Sequence, residues 1–146
     1  MPRSKAAKTK RPAPKKAPAA KKVILGVQDV YYNVEDMDRA VRFYRDVLEF
    51  KVHDTNEWWS SLEIGGLRVG LHGMGGQKVP HVSRDDHGAH AGATLTLRVA
   101  DIDQAHAALA SKGVNFLGPI QRDEWGSVVA FEDTEGNVLK LMQPPR

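Results

Sequence analysis

The feature that most constrains this chain is an internal repeat. Val34-Glu35-Asp36-Met37-Asp38-Arg39-Ala40 matches Val99-Ala100-Asp101-Ile102-Asp103-Gln104-Ala105 at a constant offset of 65. Each copy reads as a strand end, an Asp suited to cap a helix, and the start of an apolar stripe. Repeated punctuation of this kind means two units of similar fold that pack together, because neither buries its apolar face alone.

In the first unit, Val23–Val34 reads as a strand, with Val27, Tyr31 and Asn33 among its alternating positions. After Asp36, the residues Met37, Ala40, Val41, Tyr44 and Leu48 recur at helical spacing and form one stripe. Phe50–Asp54, Trp58–Ile64 and Leu67–His72 read as an antiparallel meander, with Gly65-Gly66 as the turn between the last two. In the second unit, Ala93–Val99 is a strand and Asp101 caps a helix with Ile102, Ala105 and Leu109 on its stripe. Lys112 lies in the last turn of that helix and Gly113 at its C′ position. Val114–Leu117, Trp125–Glu132 and Asn137–Met142 are the remaining strands, with a turn at Asp133–Gly136. The expected fold class is α+β: two tandem βαβββ modules, 23–72 and 93–143, forming a cleft between sheets within one domain, 23–146. The stretch 73–92, rich in Gly, His and charge, is the joining loop.

Charge divides the chain differently. Residues 1–22 hold nine Lys and Arg and no acid, whereas 23–146 hold 12 basic and 18 acidic residues. The whole-chain charge of +3 therefore describes an acidic domain with a basic tail. Pro12, Pro14 and Pro18 block a helix there, and little is apolar beyond alanine, so the tail is expected to be disordered. It reads either as a solubilising extension or as a nonspecific nucleic-acid contact through counterion release. It has no aromatic residue for base stacking. The chain has no cysteine, which excludes disulfides, thiolate metal sites and thiol catalysis and accords with a cytoplasmic location. No apolar run approaches the ~20 residues of a membrane span, and the N-terminus does not read as a secretory signal.

The order of these features resembles the vicinal oxygen chelate superfamily, also called the glyoxalase/bleomycin resistance/dioxygenase group. The resemblance rests on Val34–Ala40 running into Phe43-Tyr44-Arg45-Asp46-Val47-Leu48, then Trp58, then Gly70-Leu71-His72. In the second unit it rests on Val99–Asp103, Trp125-Gly126 and Asp133-Thr134-Glu135-Gly136-Asn137. It spans about residues 24–143. The fold hosts lyases, isomerases, dioxygenases, thiol transferases and drug-binding proteins, so it implies an architecture more than an activity. Members that use a divalent metal place four ligands on the cavity face. The resemblance carries these to Asp29, to Gly70 or His72, to Thr94 and to Lys140. A threonine hydroxyl is a poor ligand and a lysine ammonium repels a cation, so no metal cofactor is expected. A metal-dependent, lactoylglutathione-lyase-like lyase or isomerase using Asp29 and His72 is the alternative.

Strand alternation adds Tyr31, Asn33, Thr96 and Arg98 to the cavity face. The expected ligand-binding set is Asp29, Tyr31, Asn33, His72, Thr94, Thr96, Arg98 and Lys140, a polar lining suited to a polar or anionic small molecule. Lys140 and His72 are the catalytic candidates. Lys140 has three readings: a salt bridge to Asp29 where a metal would sit, an anchor for an anionic ligand, or a desolvated amine acting as base or nucleophile. His81, His87 and His90 cluster with Asp85 and Asp86 in the loop without a zinc-site spacing. They read as a polar loop, or as a source of a general acid/base if the loop covers the cavity. Trp58, Trp59 and Trp125 read as core or cleft-wall aromatics. The expected function is small-molecule binding, catalytic or not, with a homodimer as a possible form. A nucleic-acid-associated protein acting through its tail is the rival from another class.

Overall fold

A computed structural model of the chain describes residues 2, 9–15, 23, 25–79 and 93–146. The fold is mixed α+β with two sheets and few helices. The first sheet holds β1 (Val30–Val34), β2 (Lys51–Thr55), β3 (Trp59–Ile64) and β4 (Leu67–Gly73), in the order β1-β4-β3-β2. The second holds β5 (Leu95–Arg98), β6 (Asn115–Phe116), β8 (Gly126–Glu132) and β9 (Val138–Gln143), in the order β5-β9-β8-β6, with β7 (Gln121–Asp123) also paired to β8. In both, the first strand lies parallel to the last and the others are antiparallel. The repeat is thus a repeat of topology.

Both helices start as the sequence implies. Asp36 is extended and its carboxylate accepts from the Arg39 N–H at 2.9 Å, opening α1 (Met37–Arg42). Asp101 caps α2 (Ile102–Ser111) through the Gln104 N–H at 3.0 Å. The orphan donors of a helix N-terminus make such a cap worth about 1 kcal/mol. The two helices end differently. α1 runs into a π-helical turn, Phe43–Val47, closed by Leu48 N–H to the Phe43 carbonyl, and Glu49 then takes a left-handed φ of 62°.

Three sequence expectations shift. The strand expected over Val23–Val34 is confined to Val30–Val34. Its one partner is β4, where Val30 meets Val69, and β4 begins only two residues earlier at the Gly65-Gly66 turn. Residues 25–29 have little left to pair with, and Leu25 and Val27 stay exposed. The strand expected from Trp125 begins at Gly126, because Glu124 and Trp125 form the turn back from β7, an unforeseen strand. The meander position of β2 is shared in the second sheet by β6 and β7, so the second module is not a strict copy. The histidine loop and most of the tail lie outside the described residues.

One apolar core serves both modules. Val34, Met37, Tyr44, Leu62 and Leu71 from the first pack in one cluster with Ile102, Phe131, Leu139 and Leu141 from the second. Polar contacts fasten the same junction. Tyr44, wholly buried, donates to Asp133 Oδ2 at 2.9 Å across the modules. Asp133 also accepts from the Glu135 N–H, the Asn137 N–H and the Asn137 amide. Burial pushes its carboxyl above the usual range against the pull of these donors, and holds the Tyr44 hydroxyl well above its own. Glu135 reaches the start of α1, accepting from the Glu35 and Asp36 N–H groups and pairing with Arg39 at 3.1 Å. An acidic side chain there suits the positive end of the helix.

Candidate functional site

A shared core decides where the polar faces point. On β1, Tyr32 and Val34 turn toward the core, and Tyr32 Oη accepts from the Leu95 N–H at 3.0 Å. Tyr31 and Asn33 therefore lie on the other side of the first sheet. On β9, Leu139 and Leu141 are buried, which places Lys140 on the outer side of the second sheet. Thr96 pairs with Lys140 and Arg98 with Met142 across β5 and β9, so Thr96, Arg98 and Lys140 share that face.

The first face carries a cluster of three rings. Register sets Tyr31 beside Gly70 and Ser61, and Asn33 beside His72 and Trp59. The Tyr31 and Trp59 centroids are 5.7 Å apart, Tyr31 and His72 5.9 Å, and Trp59 and His72 6.4 Å. These are edge or tilted contacts that the ring quadrupoles favour. The Trp59 ring lies over Gly70, in the space a Cβ there would fill. Its indole N–H donates to Ser61 Oγ at 3.1 Å. Two hydrogen bonds from Trp58 and Trp59 N–H to the Asn56 side chain hold the turn that starts β3. His72 Nδ1 lies 3.2 Å from Asn33 Oδ1. With that oxygen accepting, Nδ1 carries the proton and Nε2 is left as an acceptor in the neutral ring. Tyr31 is 55% exposed, so water wets this aromatic surface.

The second face is cationic and shallower. Lys140 is half-buried beside Ala130, with Leu117, Pro119, Gln121 and Val128 around it, and the cleft they leave is only about 20 Å³. Thr94, just before β5, is half-buried.

The structure thus brings Tyr31, Asn33 and His72 together and adds Trp59. It places Thr96, Arg98 and Lys140 on a separate sheet face. Asp29 precedes β1 on the Tyr31 side, and among the described residues no hydrogen bond or ion pair joins it to Lys140. The expected salt bridge between them is not formed within one chain, because Asp29 comes just before β1 of the first sheet and Lys140 lies on β9 of the second. Trp59 was a core or cleft-wall aromatic in the sequence and becomes one of three mutually neighbouring rings, with Tyr31 nearest the other two. The signal available was alternation on β3, but only the register with His72 gave it meaning.

The residues at the four metal positions do not fit a divalent ion. An ammonium and a threonine hydroxyl supply two of them, the first repelling a cation and the second a poor neutral ligand. Among the described residues no group of three or more His, Asp or Glu converges as a metal site does. No helix among them is long and apolar enough to cross a membrane.

Comparison with known proteins matches this architecture. A family model described as the Glyoxalase/Bleomycin resistance protein/Dioxygenase superfamily covers residues 26–141. YetH of Bacillus subtilis (strain 168), itself uncharacterized, is 28% identical over 120 residues, which is 82% of this chain and 97% of that protein. Among solved structures, a glyoxylase/bleomycin resistance protein/dioxygenase domain from Frankia sp. EAN1pec is 27% identical with a TM-score of 0.62, covering 84% of this chain and 94% of that one. TnmS3, an antibiotic binding protein from Streptomyces sp. CB03234, is 25% identical with a TM-score of 0.60, covering 85% and 99%.

Proposed function

Since the chain belongs to the glyoxalase/bleomycin resistance/dioxygenase superfamily, we propose that it is a small-molecule-binding protein whose ligand carries a ring and a negative charge. The observation that carries this reading is the wetted cluster of Tyr31, Trp59 and His72. Fixed rings on a rigid sheet offer stacking area at little entropic cost. The likeness to TnmS3, an antibiotic binding protein, supports a small-molecule ligand.

Arg98 and Lys140 are the cationic anchor for the ligand's negative charge, and a second copy of the chain brings them to the rings. β1 and β5 are both edge strands, and apart from the Leu95 N–H held by Tyr32 Oη and the Asn33 carbonyl held by the Asn137 amide, their outer backbone groups can meet a further strand. Setting β1 of one protomer beside β5 of its partner continues both sheets and aligns the aromatic face with the cationic one. Members of this superfamily often form dimers. In the resulting cleft the rings sandwich the ligand body, Lys140 and Arg98 hold its charge, and Asn33 fixes the His72 ring. No metal takes part, given the donor set.

The reading is tested by tryptophan fluorescence titration with a panel of aromatic antibiotics bearing carboxylate or phenolate groups, alongside sedimentation and elemental analysis. Saturable quenching by an anionic member is expected, together with a dimer. Trp59→Ala should lower affinity about tenfold, the scale of one aromatic contact. Lys140→Met should weaken the anionic ligand more than a neutral analogue. One equivalent of a divalent ion lost in Asp29→Ala, or binding indifferent to both Trp59 and Lys140, overturns the reading.

A further inference from the structure

We propose that the groove between α2 and the β3–β4 hairpin is a second binding site, set apart from the aromatic face and meeting the cationic one at Thr96 and Arg98, that takes an aliphatic chain with an anionic head. The argument starts from the repeat. Counted from the two capping aspartates, Phe43 corresponds to Ala108, Tyr44 to Leu109 and Val47 to Lys112. In the first module, the turn between β8 and β9 closes over α1. Tyr44 fills the junction completely and Glu135 seals its end, with only 2% of that side chain exposed. In the second module the matching turn is Gly65-Gly66, and the matching helix side chains are smaller. A large-to-small exchange in a junction whose backbone does not collapse leaves volume behind.

That volume is present. A groove of about 580 Å³ opens between α2, β5, the end of α1 and the β3–β4 hairpin. Its walls include Ile64, Leu67, Leu97, Ala105, Leu109 and Leu141. Ligand pockets usually fall within about 300–1,000 Å³. Leu109 is only partly buried and Ala108 is exposed at the mouth, so the groove opens to solvent on the α2 side.

The lining selects the chemistry. Every apolar side chain on it is aliphatic, and none is aromatic, so the groove favours a flexible alkyl chain over a stacked ring. Its charged lining residues are Glu49, Arg98 and Lys112, one anion against two cations, which favours a carboxylate head at the mouth. Lys112 stands at the C-cap of α2, where a cation is held favourably by the helix end. Glu49 keeps a left-handed backbone that a glycine would adopt more easily, so the groove's rim carries local strain.

Calorimetric titration of the full chain with octanoate, decanoate and dodecanoate, and with decanol, tests the assignment. One site per chain is expected, with affinity rising roughly three- to fourfold per methylene. Decanol should bind more weakly than decanoate, and Lys112→Ala should erase that difference. Leu109→Tyr, which copies the first module, should lower decanoate affinity at least tenfold. Should that variant fail to fold, Ala108→Phe at the exposed mouth makes the same test. Absence of saturable binding, affinity independent of chain length, or unchanged binding in the filled variants refutes the site. Decanoate that binds only as self-association is lost would show that a second copy occupies the groove, and also refutes it.

Discussion

Replacing Tyr44 with Phe removes one oxygen from a wholly buried position and leaves the packing volume almost unchanged. That oxygen is the donor of the 2.9 Å bond to Asp133, which ties the first module to the second. A hydrogen bond to a charged group contributes about 1.5–3 kcal/mol. Asp133 keeps three other donors, so the lower end applies, about 2 kcal/mol at pH 7. For a domain of this size that is a fall in melting temperature of roughly 6–10 °C. The pH dependence follows from the direction of the shifts. Burial raises the Asp133 carboxyl from its ordinary value of 3.8, and the Tyr44 bond opposes that rise. A carboxyl whose folded pKa is raised contributes stability that is present below the unfolded value and lost as pH rises through the folded one. Removing Tyr44's hydroxyl lifts the folded pKa further, so the variant loses more at pH 7 than at pH 3. Urea denaturation at both pH values measures this, with the slope m unchanged if the denatured state is unaffected. A cost below about 0.5 kcal/mol at pH 7, or the same cost at both pH values, would show that the bond is not made to an ionised Asp133.

Three further outcomes are expected. Glu49→Gly relieves a left-handed backbone and should raise stability by about 0.5–1 kcal/mol, net of the larger backbone entropy a glycine loses on folding; a loss in chemical denaturation would contradict the strain. Gly70→Ala puts a methyl into the space of the Trp59 ring, so tryptophan emission should shift and ring-ligand binding fall while circular dichroism holds; an unchanged spectrum would contradict the geometry of the cluster. Deleting residues 1–22 should leave the melting temperature unchanged and abolish retention on DNA at low salt, because the remaining domain is acidic; retention by the truncated protein would refute the charge argument.

Local physics was legible in the residues alone. The two Asp caps and the strand periods depend on neighbours within a few positions, the offset of 65 repeats them, and the helix starts and most strands fall where those signals put them. Alternation also placed Tyr31 with Asn33, and Thr96 with Arg98, on common faces, because side-chain direction along a strand is a local property. It carried no information on which sheets share a core. That was decided by the packing of Tyr44, Leu71, Phe131 and Leu139 into one cluster, residues distant in the chain whose meeting is a matter of volume and burial. The same packing set Asp29 and Lys140 apart, drew Trp59 over Gly70 beside His72, and started β1 only at Val30, opposite Val69 near the beginning of β4. The π-helical turn after Arg42 was hidden too, since the apolar stripe from Met37 to Leu48 accommodates one wider turn without losing its buried face. Spacing along the chain determines what each segment presents, and only tertiary contact determines what it is presented to.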